Sequence, residues 1–414
     1  MHRIATIPGG WNPNEEGVVY IDQKPGDIVF LSAGETELSS FSRAYHELKD
    51  QAESLPSVRL ANVSLLKQEL TIDTYVEEVL AKSKVIVMRL LGGNSYFRYL
   101  IEQVREACLE NNIKLYLLPG HDSPDVELIS DSTVSLEQVD GLWKYFVEGG
   151  VGNMQSALGC LMKNHFDNDT YSQAPVSIEQ QLLYVPDQGS VSQDEVEISN
   201  SQDLPVVLCI AYRTHYLADN LNPISAMSQA LKDRGLFPLI VFVHSLREVE
   251  YIDDLYRLTT NNGQRPIASI INTTSFCMGS LEGGSSEHLI YSRYNVPVIQ
   301  AIFSSSTEDL WRNGLSGLTP IDVAVNVVLP EVDGCIITRA VSFKKDSGKD
   351  ELTDSTLTHY DAHLPACEFV ADFSRRWIYL QETPNVEKKI ALILPNYPNK
   401  DSRLANGVGL DTPQ

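Results

Sequence analysis

Four clusters of polar side chains stand at the ends of apolar runs, where an α/β fold would gather them. Tyr212, Arg213 and His215 close the run PVVLCIAYRTH. Asn272, Thr273 and Thr274 lie towards the end of SIINTTSF, and Ser304, Ser305 and Ser306 end PVIQAIFSSS. Asn396, Tyr397 and Asn399 follow the run after Lys388 and Lys389, in a loop that also carries Arg403. In a parallel sheet such ends meet on one edge, the usual ligand side of open α/β folds. A lining of one cation, one imidazole, aromatic rings and many neutral hydrogen-bonding groups suits a large anionic ligand, or a packed face between domains. Ordinary loop polarity and helix N-capping would give the same residues. The candidate substrate contacts are Tyr212, Arg213, His215, Ser304, Asn396, Asn399 and Arg403, and no catalytic residue is assigned.

Other chemistries are poorly represented. The six cysteines, at 108, 160, 209, 277, 335 and 367, form no C-x-x-C pair. They read as structural thiols. The nine histidines include no H-E-x-x-H. His359 and His363 have i,i+4 spacing, but Pro365 and the polar stretch before them argue against a helix and a zinc site there. No G-x-x-x-x-G-K-[ST], G-x-G-x-x-G after a strand, or G-x-S-x-G occurs. A metal or cofactor bound by this chain is therefore not expected. Glu331 and Arg339 flank the Asp333-Gly334 turn and could orient a ligand; pairing with each other is favoured.

The elements that would position these groups alternate. Apolar runs at 18–21, 28–31, 85–91 and 115–118 are separated by helical stretches at 35–55, 71–82 and 96–111. That pattern predicts a βαβ, parallel-sheet unit over 1–130. Two runs end in Gly92-Gly93-Asn94 and Pro119-Gly120-His121-Asp122. Helical periodicity at 134–148 and 153–166 and an acidic, polar stretch at 186–204 make 131–204 a helical segment with a linker. A second α/β domain is expected over 205–386, with strands near 205–212, 236–246, 269–276, 297–306 and 335–343. Residues 322–329 read as helix or strand, 344–364 as a polar loop and 366–380 as a helix. The apolar run at 390–394 reads as a buried parallel strand whose helix is missing, so 387–414 is expected to start a truncated third domain.

Composition bounds the partners. Of the 414 residues, 43% are hydrophobic and 21% charged, with a formal net charge of −23. Such a field repels phosphate backbones and anionic lipid, which excludes nucleic acid as the expected partner. No apolar run reaches bilayer length, and the N-terminus lacks an apolar core of signal-peptide length, so a cytoplasmic location is expected.

Several stretches resemble one family: IATIPGGWNPNEEGVVYIDQ (4–23), YLLPGHDSPDVEL (116–128), LWKYFVEGGVGNMQ (142–155), YRTHYLADNLNPISAMSQAL (212–231), GLTPIDVAVNVVLPEVDGCIITRAVSFK (317–344) and NYPNKDSRLANGVGLDTP (396–413). In collinear order they are similar to the large subunit of ATP-dependent cobaltochelatase, the CobN type, a family that also includes the H-type large subunit of magnesium chelatase. The resemblance implies binding of a tetrapyrrole and insertion of Co²⁺ into hydrogenobyrinic acid a,c-diamide, an intermediate towards cobalamin. It implies an AAA+ ATPase subunit and a second smaller subunit as partners, with ATP and Mg²⁺ used through them and Co²⁺ as substrate. Family large subunits are several times longer, so the chain resembles their N-terminal part, and the isolated chain is expected to be inactive without the remainder. The alternatives are a magnesium chelatase H-type subunit, acting on protoporphyrin IX, or a non-enzymatic tetrapyrrole-binding or regulatory module.

Overall fold

The computed structural model describes residues 20–393, apart from 53, 170, 193, 197–202, 247–248, 261–265 and 279–289. Two sheets carry the fold. The first is built from β1 (Ile28–Ser32), β2 (Val58–Asn62), β3 (Val85–Leu90) and β4 (Lys114–Pro119), in the order β2-β1-β3-β4. All its pairings are parallel. Strands β1, β3 and β4 read as largely apolar runs because both faces are covered. Ile28, Phe30, Val85, Val87 and Tyr116 point to one side, against helices α1 (Glu35–Gln51), α4 (Leu136–Glu148) and α5 (Val151–His165). Val29, Leu31, Ile86, Met88 and Leu117 point to the other, against α2 (Glu69–Glu78) and α3 (Arg98–Asn111). The helices of the expected connecting segment therefore finish the core of the first sheet.

The second sheet has eight strands in the order β12-β11-β10-β9-β7-β8-β5-β6. They are β5 (Gln181–Val185), β6 (Gly189–Val191), β7 (Val206–Tyr212), β8 (Phe237–Val243), β9 (Ile267–Asn272), β10 (Val298–Thr307), β11 (Ile336–Asp350) and β12 (Ser355–Ala362). The centre, β11-β10-β9-β7-β8, is parallel, and antiparallel strands close both edges. One face packs on α7 (Asn222–Lys232) and α9 (Leu364–Glu382), through Ile224, Met227, Leu231, Val370, Ala371 and Ile378. A short helix, α6 (Arg213–Leu217), follows β7, and α8 (Val249–Thr260) follows β8. The architecture is thus α/β with two largely parallel sheets, as expected.

Several elements differ from the sequence expectation. Strand β2 carries no local signal: VRLAN holds a single short apolar pair, and its strand state comes from pairing with β1. Tyr20 and Ile21, at the end of an expected strand, form none. β5 and β6 occupy part of the stretch whose pattern predicts helix and linker; β5 pairs with β8, a partner about sixty residues on, which no local pattern encodes. Residues 390–393, the expected buried strand, form no strand. Ile390, Leu392 and Ile393 are exposed, because no described strand lies beside them.

The polar stretch at 344–364 is a hairpin and not the loop its composition predicts. β11 runs fifteen residues, on the order of 50 Å of extended chain. With β12 it leaves the second sheet and reaches the first. Leu352 and Leu357 pack against the core around Phe30 and Phe41. Leu60 N donates to Thr353 O (3.3 Å), and Gln23 Nε2 donates to the carbonyls of Leu60 and Asp354 (both 2.9 Å). Asp350 at the hairpin tip accepts from Ser42 Oγ (2.7 Å), Thr353 Oγ1 (2.5 Å) and His46 Nε2 (2.9 Å). Burial would raise its pKa, but these bonds hold the carboxyl below its usual value. The hairpin shows no apolar alternation because backbone pairing, not a buried face, keeps most of it extended.

Candidate functional site

The carboxyl ends of the two sheets face a shared cleft of about 200 Å³. Thr36, Glu37 and Ser40 of α1, Arg89 of β3, and Gly120 and Asp122 after β4 form one wall. Arg213 and Thr214 of α6 and His244 after β8 form the other. Phe146, Met154 and the Gly149-Gly150 corner between α4 and α5 make the floor. That corner needs glycine: φ is +71° at Gly149 and +83° at Gly150, and a Cβ on either would sit 3.0 Å from the tip of Leu217 or Ile178.

Two buried guanidiniums hold the walls. Arg89 Nε donates to Pro119 O (3.2 Å), Nη1 to Phe146 O (3.0 Å) and to Glu37 Oε1, so one side chain ties β4, α4 and α1 to β3. Glu37 Oε2 in turn accepts from Ser32 Oγ (2.7 Å). Arg213 Nη1 donates to the carbonyls of Ile178 (2.9 Å) and Glu179 (3.2 Å). Across the mouth, His244 Nε2 and Asp122 Oδ2 meet at 3.2 Å, an ion pair bridging the two sheets when the imidazole is protonated. The hydrogen bond from His244, with Arg89 and Arg213 nearby, holds the Asp122 carboxyl below its usual pKa. The site is thus a slot between two sheet edges, with charged walls over a largely apolar floor.

The structure separates the residues singled out in the sequence. Arg213 lines the cleft. Tyr212 lies beside it, its hydroxyl donating to Ser275 O (2.9 Å) at the rim of an adjoining hollow that His244 shares. His215 turns away into the core between Phe303 and Tyr360, with ring centroids 5.2 and 5.4 Å away. Its burial pushes the imidazole pKa down to about 4. Ser304 is fully buried, its hydroxyl donating to Asp322 Oδ2 (2.8 Å). Asn272 and Thr274 are also closed off: Asn272 Nδ2 donates to Gln300 Oε1 (2.7 Å), and Thr274 Oγ1 donates to Asn272 Oδ1 (2.8 Å). Asn396, Asn399 and Arg403 lie outside the described residues. The expected Glu331–Arg339 pair does not form; Arg339 lies over the Phe369 ring, 3.8 Å from its centroid.

Sequence reasoning misses Arg89 and His244. The signal for Arg89 is a lone cation inside the apolar run VIVMRLL. For His244 it is a strand-end position just past Val243, the register partner of Tyr212 on β7. All six cysteines are free thiols, and burial pushes Cys108, Cys209, Cys335 and Cys367 up to about 12. Among the described residues, no group of three His, Cys, Asp or Glu side chains could hold a metal ion, and no helix is long and apolar enough to cross a membrane.

A family model described as CobN/Magnesium Chelatase matches residues 143–414. This chain belongs to the CobN/magnesium chelatase family. The aerobic cobaltochelatase subunit CobN of Pseudomonas aeruginosa is 36% identical over 416 residues, covering 100% of this chain and 32% of that protein. CobN of Sinorhizobium sp is 34% identical over 424 residues, with the same coverage. The H-type magnesium-chelatase protein of Chlorobaculum parvum is more distant, 22% identical over 66% of this chain. Among solved structures, the catalytic subunit of cobaltochelatase from Mycobacterium tuberculosis superposes with a TM-score of 0.62 at 26% identity, covering 93% of this chain and 30% of that one. The chain thus spans about a third of the length of these CobN-family relatives.

Proposed function

We propose that this chain acts as the N-terminal part of the tetrapyrrole-binding large subunit of an ATP-dependent cobaltochelatase. The reaction is insertion of Co²⁺ into hydrogenobyrinic acid a,c-diamide during cobalamin biosynthesis. The observation that carries this reading is identity of 36% sustained along the whole chain with a CobN subunit. Insertion requires ring N–H protons to leave while a dehydrated metal ion enters, so it needs a base, weak transient ligands and driven conformational change. We assign the drive to an AAA+ ATPase subunit and a second smaller subunit, which would use ATP and Mg²⁺, in the cytoplasm. The chain by itself binds and does not insert metal; the chemistry belongs to further large-subunit polypeptide.

The cleft supports a limited role in binding. Pockets that enclose drug-sized ligands run to about 300–1,000 Å³, and this one is about 200 Å³. It has room for one carboxylate or amide arm of a tetrapyrrole and none for the macrocycle. Arg213, Asp122 and His244 would meet that arm, with Tyr212 bordering the adjoining hollow; Asn396, Asn399 and Arg403 are proposed as further substrate contacts. Titrating the chain with the corrinoid and following visible absorbance tests the reading: a saturable shift is expected. Turnover with ATP, Mg²⁺, Co²⁺ and both smaller subunits, without more large-subunit polypeptide, would overturn the division of labour. A stronger response to protoporphyrin IX than to the corrinoid would favour the magnesium branch.

A further inference from the structure

Within residues 308–332, two polar side chains turn inward while several aliphatic ones are exposed. Thr319 caps a helical stretch by accepting Asp322 N (3.1 Å), and the chain winds through Pro320–Asp322, a π-helix Val323–Val328 and Leu329–Val332. Two of its polar residues face inward. Asp322 and Asn326 are 1% and 3% exposed. Asp322 accepts from Ser304 Oγ (2.8 Å) and Ser305 N (3.0 Å), and Asn326 Oδ1 accepts from Ser275 Oγ (2.6 Å). Several aliphatic residues are exposed: Ile321 is 48% exposed, Val323 40%, Val328 50% and Val332 52%, with Leu310 at 63% and Leu315 at 106%, while Val325 is buried and Val327 packs on the core. A surface helix serving only its own domain has the opposite pattern. Exposed aliphatic side chains concentrated on one short segment mark a candidate interaction site.

We propose that this face docks the polypeptide that makes up the part of CobN-type large subunits which this chain does not span. The inference rests on the reading of the chain as a large-subunit part. Two observations choose that occupant. The relatives carry about two thirds of their length outside the matched region, so an intramolecular neighbour is available to cover the face. The exposed acids on the segment are Asp309 and Glu331, Arg312 is already engaged by Glu308, and the chain as a whole carries a net charge of −23. The matching surface is therefore aliphatic and edged with Lys and Arg. A second copy of this chain would bring acid against acid.

The test is thiol accessibility. Val328→Cys in this full chain is compared with cysteine at the aligned position of the full-length Pseudomonas aeruginosa CobN subunit, each labelled with a maleimide and read by peptide mass spectrometry. Labelling at least tenfold slower in the full-length subunit is expected. Equal rates would overturn the proposal. So would slow, concentration-dependent labelling in this chain together with a dimer in sedimentation, which would make a second copy the occupant. Val332→Cys repeats the measurement should Val328→Cys fold poorly by circular dichroism. The readout needs neither corrinoid nor turnover. A failed absorbance titration with a clear labelling contrast would therefore remove the ligand role and leave the docking face standing.

Discussion

His215 shows what burial does to a single titratable group. Its ring is held between Phe303 and Tyr360, and its Nδ1 is buried without a hydrogen-bond partner. Desolvation pushes its pKa from 6.5 to about 4. The folded chain therefore keeps the ring neutral where the unfolded chain binds a proton. Stability is full above the unfolded value near 6.5 and falls as pH drops towards 4, a loss approaching about 3 kcal/mol. His165, lowered by burial too, adds in the same direction. Chemical denaturation of wild type and His215→Phe across pH 4–7 should show a shallower acid slope in the variant; equal slopes would refute this. At the cleft mouth the exposed Asp122–His244 pair contributes only about 0–1 kcal/mol to stability. If an amide arm donates to Asp122, Asp122→Asn should leave the melting temperature nearly unchanged while weakening corrinoid binding about tenfold, the loss of one charged hydrogen bond. Calorimetry and the absorbance titration together check both halves.

At the scale of elements, close approach and the hairpin matter most. Gly159 lies inside α5, where a Cβ would stand 2.2 Å from the Tyr171 carbonyl oxygen. That neighbour is backbone and cannot swing aside. Gly159→Ala should cost at least about 2 kcal/mol in urea unfolding, despite alanine's better helix propensity. The β11–β12 hairpin carries the coupling between the sheets through Asp350, Leu352 and Leu357. Wild type should melt in one calorimetric transition. Leu352→Asp, which puts a charge into the first core, should lower and split it; a single unsplit transition in the variant would show the sheets are coupled elsewhere. Additional links do exist: Arg43 pairs with Asp219, and Lys344 Nζ lies 2.7 Å from Glu35 Oε2. They are partly exposed pairs of small individual worth.

For the whole molecule, the two sheets present their carboxyl edges to one cleft and their hairpin to the opposite task of fastening. That arrangement leaves a slot between the lobes, where the proposed ligand arm would sit, and exposes aliphatic side chains of residues 308–332. Binding without turnover is the behaviour expected of the chain alone, and reconstitution with further large-subunit polypeptide is expected to restore insertion. The net charge of −23 also predicts that association with a basic partner surface weakens as salt rises, measurable as a falling association rate between about 50 and 300 mM salt, on the order of the screening set by the Debye length.

The continuous apolar runs at 85–90, 114–119, 206–212 and 237–243 named their strands outright, because a parallel strand buried on both faces needs no partner to be recognised. Collinear stretches along the chain carried the family. Neighbours distant in sequence decided the rest. VRLAN became β2 only by lying beside β1, and the polar run after Phe343 became a hairpin only by backbone pairing. Strand ends located the cleft, but not the rotation of each side chain about them. Arg213 entered the wall while His215, two residues on along a short helix, turned into the core, because packing against Phe303 and Tyr360 sets that helix's phase. Type and order of elements are local properties of the chain; which side chains share a cavity is set by contacts between elements that the sequence holds far apart.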